Sequence, residues 1–172
     1  MSTLIIVSGP AGHGKTTLAH RLAAALGCRA ICRDEIREGL GRTDDDGDAA
    51  LRTLSIFFDT LHVLLGRGVT VVAEAAFQDH VWTPNLTPLA AVADIRVVQC
   101  HTDPATARRR IAEHAATRTV HADRALLAAV EQSDEYFDGF RRLRLEVPAI
   151  AVDTTDGYRP GIDEIVSFAA RA

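Results

Sequence analysis

Lysine is nearly missing from this chain: of its 19 lysines and arginines, only Lys15 is a lysine. Positive charge is not in excess either. The formal net charge is −4, which excludes a general electrostatic attraction to nucleic acid or to an anionic membrane. No segment approaches the roughly 20 apolar residues of a membrane span. The N-terminus lacks the charged-then-apolar layout of a signal peptide and runs directly into an apolar stretch. A cytoplasmic protein with no membrane partner is expected. Cysteine is scarce and odd in number. Cys28, Cys32 and Cys100 lack the company and spacing of metal ligands, so buried or partly buried reduced thiols are expected. There is no internal repeat and no linker. The 172 residues, 47% hydrophobic and 24% charged, are read as one domain spanning 1–172.

What is present is concentrated in one stretch, Gly9-Pro10-Ala11-Gly12-His13-Gly14-Lys15-Thr16-Thr17. It fits G-x-x-x-x-G-K-[ST], the phosphate-binding P-loop. Leu4-Ile5-Ile6-Val7 before it reads as a buried strand. Leu18, Leu22 and Leu26 after it recur four apart, on one face of a helix. A triphosphate needs several backbone N–H groups aimed at one place. Glycines allow that curl and close approach, and the helix N-terminus adds unpaired N–H groups and partial positive charge. Gly9, Ala11, Gly12, His13, Gly14, Lys15, Thr16 and Thr17 are therefore the expected nucleotide-binding residues. Lys15 would reach the β- and γ-phosphates and the Thr16 hydroxyl would ligate Mg²⁺. The single lysine stands where a compact point charge suits a phosphate.

Along the rest of the chain strands alternate with helices. Strands are expected at 29–32, 69–74, 94–100 and 148–153. Helices are expected at 33–40, 49–65, 80–93 with interruptions near Pro84 and Pro88, 104–116, 123–144 and 161–170. The alternation implies right-handed crossovers and a parallel sheet covered by helices on both faces. In such folds ligands bind at the carboxyl ends of the strands. Asp34 follows the second strand, and is read as the base that takes the proton of an incoming hydroxyl. Arg37, one turn on, would hold the acceptor or stabilise charge on the moving phosphoryl group. Glu74 ends the third strand and either holds Mg²⁺ or contacts the acceptor. Arg109, Arg110 and Arg118 surround a break in the pattern and would close over the phosphates as a small lid at about 109–122. Arg118 is the leading lid candidate, and Arg110 is assigned to the nucleotide. The loop 153–157 would border the adenine. Phe77 and Trp82 either line the acceptor pocket or pack in the core.

Taken together, the P-loop, Arg33-Asp34-Glu35-Ile36-Arg37, the strand ending at Glu74 and the lid arginines resemble the small P-loop kinases. The nearest likeness is to polynucleotide 5′-hydroxyl kinase domains, zeta toxins and chloramphenicol phosphotransferases. The resemblance implies a three-layer α/β P-loop NTPase fold, adenylate kinase-like, with a five-stranded parallel sheet of order 2-3-1-4-5. It implies Asp34 as general base, Arg37 on the acceptor side and Arg118 in the lid. It departs from the polynucleotide kinases at Glu74-Ala75-Ala76-Phe77, where they often carry an aspartate-containing segment. The expected activity is ATP- and Mg²⁺-dependent transfer of the γ-phosphoryl group to a hydroxyl-bearing small molecule such as a nucleoside, sugar or antibiotic. The alternatives are a polynucleotide 5′-hydroxyl kinase and a regulatory P-loop ATPase.

Overall fold

The computed structural model describes residues 2–40, 46–117, 135–140 and 142–170. Its centre is a five-stranded sheet, parallel throughout, of order β2-β3-β1-β4-β5. The strands are β1 (Ser2–Ser8), β2 (Arg29–Cys32), β3 (Val71–Glu74), β4 (Ala93–His101) and β5 (Ala149–Asp153). The helices are α1 (Lys15–Leu26), α2 (Arg33–Gly39), α3 (Asp46–Gly66), α4 (Asp79–Leu86), α5 (Pro104–Thr117), α6 (Glu135–Asp138) and α7 (Ile162–Ala170), with a 3₁₀ turn at Thr87–Ala91. This is the expected architecture and strand order.

The period of two along β1 divides the core. Leu4 and Ile6 point to a cluster beneath α3 and α4, while Ile5 and Val7 point to one beneath α1 and α7. Each strand of a doubly covered sheet must be apolar on both faces, which is why β1 reads as a continuous apolar run. Leu18 and Leu22 of α1 are fully buried on the second face. The helix ends at Gly27, whose φ of 67° lets the Cys28 N–H return to the Ala23 carbonyl at 3.0 Å, a left-handed cap that closes the last turn.

Two sequence expectations need correction, and one open choice is decided. From Asp48 to Gly66, α3 is long and apolar enough to cross a membrane by length and composition alone. Its apolar side instead serves the core, with Phe57, Phe58, Leu61 and Leu65 buried. Of the helix expected at 123–144, residues 123–134 lie outside the described residues, Glu135–Asp138 is helical and 142–148 are not; there Leu143, Leu145 and Val147 pack on the α3 side of the core. Phe77 and Trp82 do not form an acceptor pocket. Their rings lie 4.5 Å apart and both meet Phe57, at 6.0 and 5.8 Å. These buried rings stack at tilted and edge-on angles, the arrangement aromatic quadrupoles favour.

Phe57 joins all of these rings and is fully buried. Phe57→Ala is expected to cost about 3–5 kcal/mol of folding stability, read from the midpoint of a urea unfolding curve.

Candidate active site

The loop between β1 and α1 is pressed against the neighbouring strand and helix. Gly9 has φ of 151°, and a Cβ there would stand 2.6 Å from the Cys100 carbonyl oxygen of β4. Gly12 has φ of 74°, and its Cβ would stand 2.5 Å from the Ala107 carbonyl oxygen of α5. Neither neighbour is a flexible side chain, so only glycine fits at both places. Ala11, Gly12, Gly14, Lys15, Thr16 and Thr17 line a cleft of about 860 Å³. Gly9 and His13 are not part of its wall. His13 is buried, its ring 5.6 Å from Phe137 of α6 and its Nδ1 2.9 Å from the Ala11 carbonyl. Burial holds its pKa down at about 4, so the ring is neutral at pH 7 and Nδ1–H donates to that carbonyl.

Lys15 and Thr16 both face Glu74. The register pairs Glu74 with Val7 of β1 on one side and Cys32 of β2 on the other, so it sits at the mouth of the sheet. Its side chain is 2% exposed. The Thr16 hydroxyl donates to Oε2 at 3.2 Å, and Lys15 Nζ lies 3.8 Å from Oε1 while donating to the Pro10 carbonyl at 3.0 Å. Burial pushes the Glu74 pKa up, Lys15 opposes that, and the charge of Asp34 adds to it. A buried carboxylate short of positive charge, beside a hydroxyl, is an oxygen donor set that fits a hard divalent cation. Thr16 and Glu74 are thus the residues that would hold Mg²⁺, directly or through its waters.

Asp34 lies in the first turn of α2 and lines the same cleft. Its side chain is 69% exposed and 3.4 Å from the Arg33 guanidinium. Arg37 is half-buried one turn later and does not line the cleft.

The arginine run divides. Arg109 lies 3.9 Å from Glu113 on the exposed face of α5. Arg108 lies 5.8 Å over the Phe137 ring. Arg110 turns into the cleft and donates to the Gly12 carbonyl at 3.3 Å, to the Thr154 hydroxyl at 3.1 Å, and to the carbonyls of Thr154 and Thr155. It ties α5 to the phosphate loop and to the loop after β5, where Thr154 and Gly157 also line the cleft. In the lid interval, residues to Thr117 continue α5, while Arg118 and the remainder to 122 lie outside the described residues.

Sequence reasoning missed Tyr136. Its hydroxyl accepts the Ala11 N–H at 3.3 Å, and it lines the cleft from α6. One tyrosine on a four-residue helix carries no spacing signal. Only the fold brings it 125 residues back to the loop.

The chain belongs to the AAA domain family AAA_33, whose model matches residues 4–154. No match is found among proteins of curated function. Among solved structures, a protein described as a kinase from Chloroflexus aurantiacus is similar over 97% of this chain and 96% of its own, with TM-score 0.78 and 23% identity. The APS kinase CysC of Mycobacterium tuberculosis, solved with AMPPNP and APS, is similar over 97% and 96%, with TM-score 0.63 and 15% identity. The Pnkp1/Rnl/Hen1 RNA repair complex contains a similar fold, over 84% of this chain and 50% of that one, with TM-score 0.62 and 17% identity. A gluconokinase and shikimate kinases share the fold as well. These likenesses establish the P-loop kinase fold.

Gly12→Ala is expected to lower nucleotide affinity at least tenfold, measured by calorimetry, because the added carbon displaces the loop from α5. His13 supplies a pH prediction. Below pH 6.5 the unfolded chain takes up a proton that the folded ring refuses until about pH 4. The unfolded state therefore gains as pH falls through that window. His13→Gln should lose less stability between pH 6.5 and 4 than the parent, in chemical unfolding followed by circular dichroism.

Proposed function

We propose that this protein is an ATP- and Mg²⁺-dependent kinase that transfers the γ-phosphoryl group to a hydroxyl of a small molecule. One observation carries the reading. A single cleft holds the phosphate loop with Lys15, Thr16 and the buried Glu74, and brings Asp34 to its wall. The P-loop kinase fold, shared with an APS kinase holding AMPPNP, supports it.

The loop amides and Lys15 bind the β- and γ-phosphates, and Lys15 exchanges the Pro10 carbonyl for phosphate oxygen. Mg²⁺, when bound at Thr16 and Glu74, supplies charge neutralisation on the β- and γ-phosphate oxygens. Asp34 accepts the proton of the acceptor hydroxyl as its oxygen attacks phosphorus in line with the departing ADP oxygen. Its exposure in the nucleotide-free cleft leaves it open to an incoming hydroxyl. Arg110 holds the walls of the nucleotide end together; Arg37, which stands outside the cleft wall, has to turn inward to hold the acceptor, and Arg118 is assigned to charge stabilisation. The family resemblance and the RNA repair neighbour favour a second reading, a polynucleotide 5′-hydroxyl kinase. The net charge of −4 favours a small acceptor. A cytoplasmic setting, where ATP is abundant, accords with both.

The test is transfer of labelled γ-phosphate from Mg–ATP to 5′-hydroxyl oligonucleotides, nucleosides, sugars and hydroxylated antibiotics. Label on a small molecule alone is expected, and label on oligonucleotides alone would reverse the assignment. Asp34→Asn should slow transfer by about 10²–10⁴-fold with ATP binding retained, whereas Lys15→Ala should lose both.

A further inference from the structure

Three ligand-type side chains from three elements converge at the edge of the cleft, where Cys32 and Glu35 line the wall and the Cys32 thiol is hydrogen-bonded to Glu74. His20 comes from α1, Cys32 is the last residue of β2, and Glu35 lies in the first turn of α2. His20 Nε2 is 2.6 Å from Glu35 Oε1 and 3.7 Å from Cys32 Sγ. All three ligand atoms lie within 4.8 Å of one another. Around a tetrahedral zinc ion, with bonds of about 2.0–2.3 Å, neighbouring ligand atoms stand about 3.3–3.6 Å apart. The two measured spacings bracket that range, and the third pair lies within 4.8 Å, so the three atoms close on an ion by side-chain adjustment alone.

The chemistry of the set is selective. Imidazole, thiolate and carboxylate together suit a borderline-soft divalent ion and not Mg²⁺, which demands oxygen. Burial first, and then the negative charges of Glu74, Glu35 and Asp34, push the Cys32 thiol pKa up, so the sulfur keeps its proton until a cation, drawn by those same charges, displaces it. Access is provided by His20 and Glu35, 51% and 46% exposed, while Cys32 forms the buried floor. Each ligand is anchored on a regular element, which fixes its position without the ion.

We propose that His20, Cys32 and Glu35 form a binding site for a zinc-class divalent ion, with solvent at the fourth position. Binding replaces the thiol proton of Cys32, which leaves to solvent, and the hydrogen bond between His20 and Glu35. The bound ion fastens α1, β2 and α2 to one another and so fixes the first turn of α2. The site touches the proposed kinase centre through the hydrogen bond from Cys32 to Glu74, but none of its three ligands is assigned to phosphoryl transfer, so a metal titration without nucleotide tests it separately.

The deciding experiment titrates the whole, reduced protein with Co²⁺ in the absence of nucleotide. One equivalent should produce a near-ultraviolet thiolate-to-cobalt absorption, removed by Zn²⁺ and unaffected by excess Mg²⁺. Cys28→Ser should keep the band and Cys32→Ser should abolish it. His20→Ala, at a half-exposed position, should weaken Co²⁺ binding at least tenfold and remove the rise in melting temperature that Zn²⁺ gives the parent. The proposal is overturned if no band forms, if it survives Cys32→Ser, if it disappears in Cys28→Ser, or if His20→Ala binds as the parent does.

Discussion

The burial of one carboxylate governs the arrangement of the site. Glu74 ends a strand whose other residues are all buried, and its side chain is 2% exposed at the base of the cleft. A charge in that position must be paired or neutralised. Lys15, Thr16 and the Cys32 thiol reach it, and the first two lie in the first turn of α1. The acid at the end of β3 therefore helps set where the phosphate loop delivers its helix. Without nucleotide the pairing is incomplete, and burial dominates the Glu74 pKa. The site thus favours a ligand that brings positive charge to Glu74 and negative charge to Lys15.

Around that pair the walls are joined by backbone contacts. Gly12 touches the carbonyl of Ala107, three residues before Arg110, and Arg110 donates back to Gly12 itself. Thr154 completes the circuit, donating from its hydroxyl to the His13 carbonyl at 3.0 Å. A displacement of α5 is consequently felt at the phosphate loop and at the loop after β5 together. On the outer side, Phe137 packs on His13 while Tyr136 occupies the Ala11 N–H. A phosphate oxygen arriving at that amide competes with a phenol already in place.

Local signals made most of the fold legible. The glycine loop between an apolar run and a leucine stripe needed no distant information, and the alternation of strands and helices led to a parallel sheet. Asp34 and Glu74 were expected at the cleft, and line it, because the carboxyl ends of parallel strands open onto the ligand crevice. Signals with two meanings failed. Phe77 and Trp82 stand just after Glu74 in sequence, yet aromatic side chains that near a core fill it. The convergence of His20, Cys32 and Glu35 was invisible because the ligands come from three elements with no shared spacing. Cys32 alone, judged with the other cysteines, lacked partners that only the crossover from α1 to α2 supplies. Arg110 was expected at the nucleotide, but its partners, the Thr154 hydroxyl and three backbone carbonyls, were hidden because they come from two distant loops.

The scarcity of lysine acquires a chemical meaning once Lys15 is placed. Its ammonium group, 11% exposed between Pro10 and Glu74, is the only side-chain amine the protein has. Arginine is inert to most acylating and reductively alkylating reagents, so the rest of the basic surface is silent to them. An amine-directed label, apart from the chain's own α-amino group, therefore has one destination, at the floor of the nucleotide cleft. The molecule carries its own single-point reporter of occupancy, installed by composition rather than by engineering.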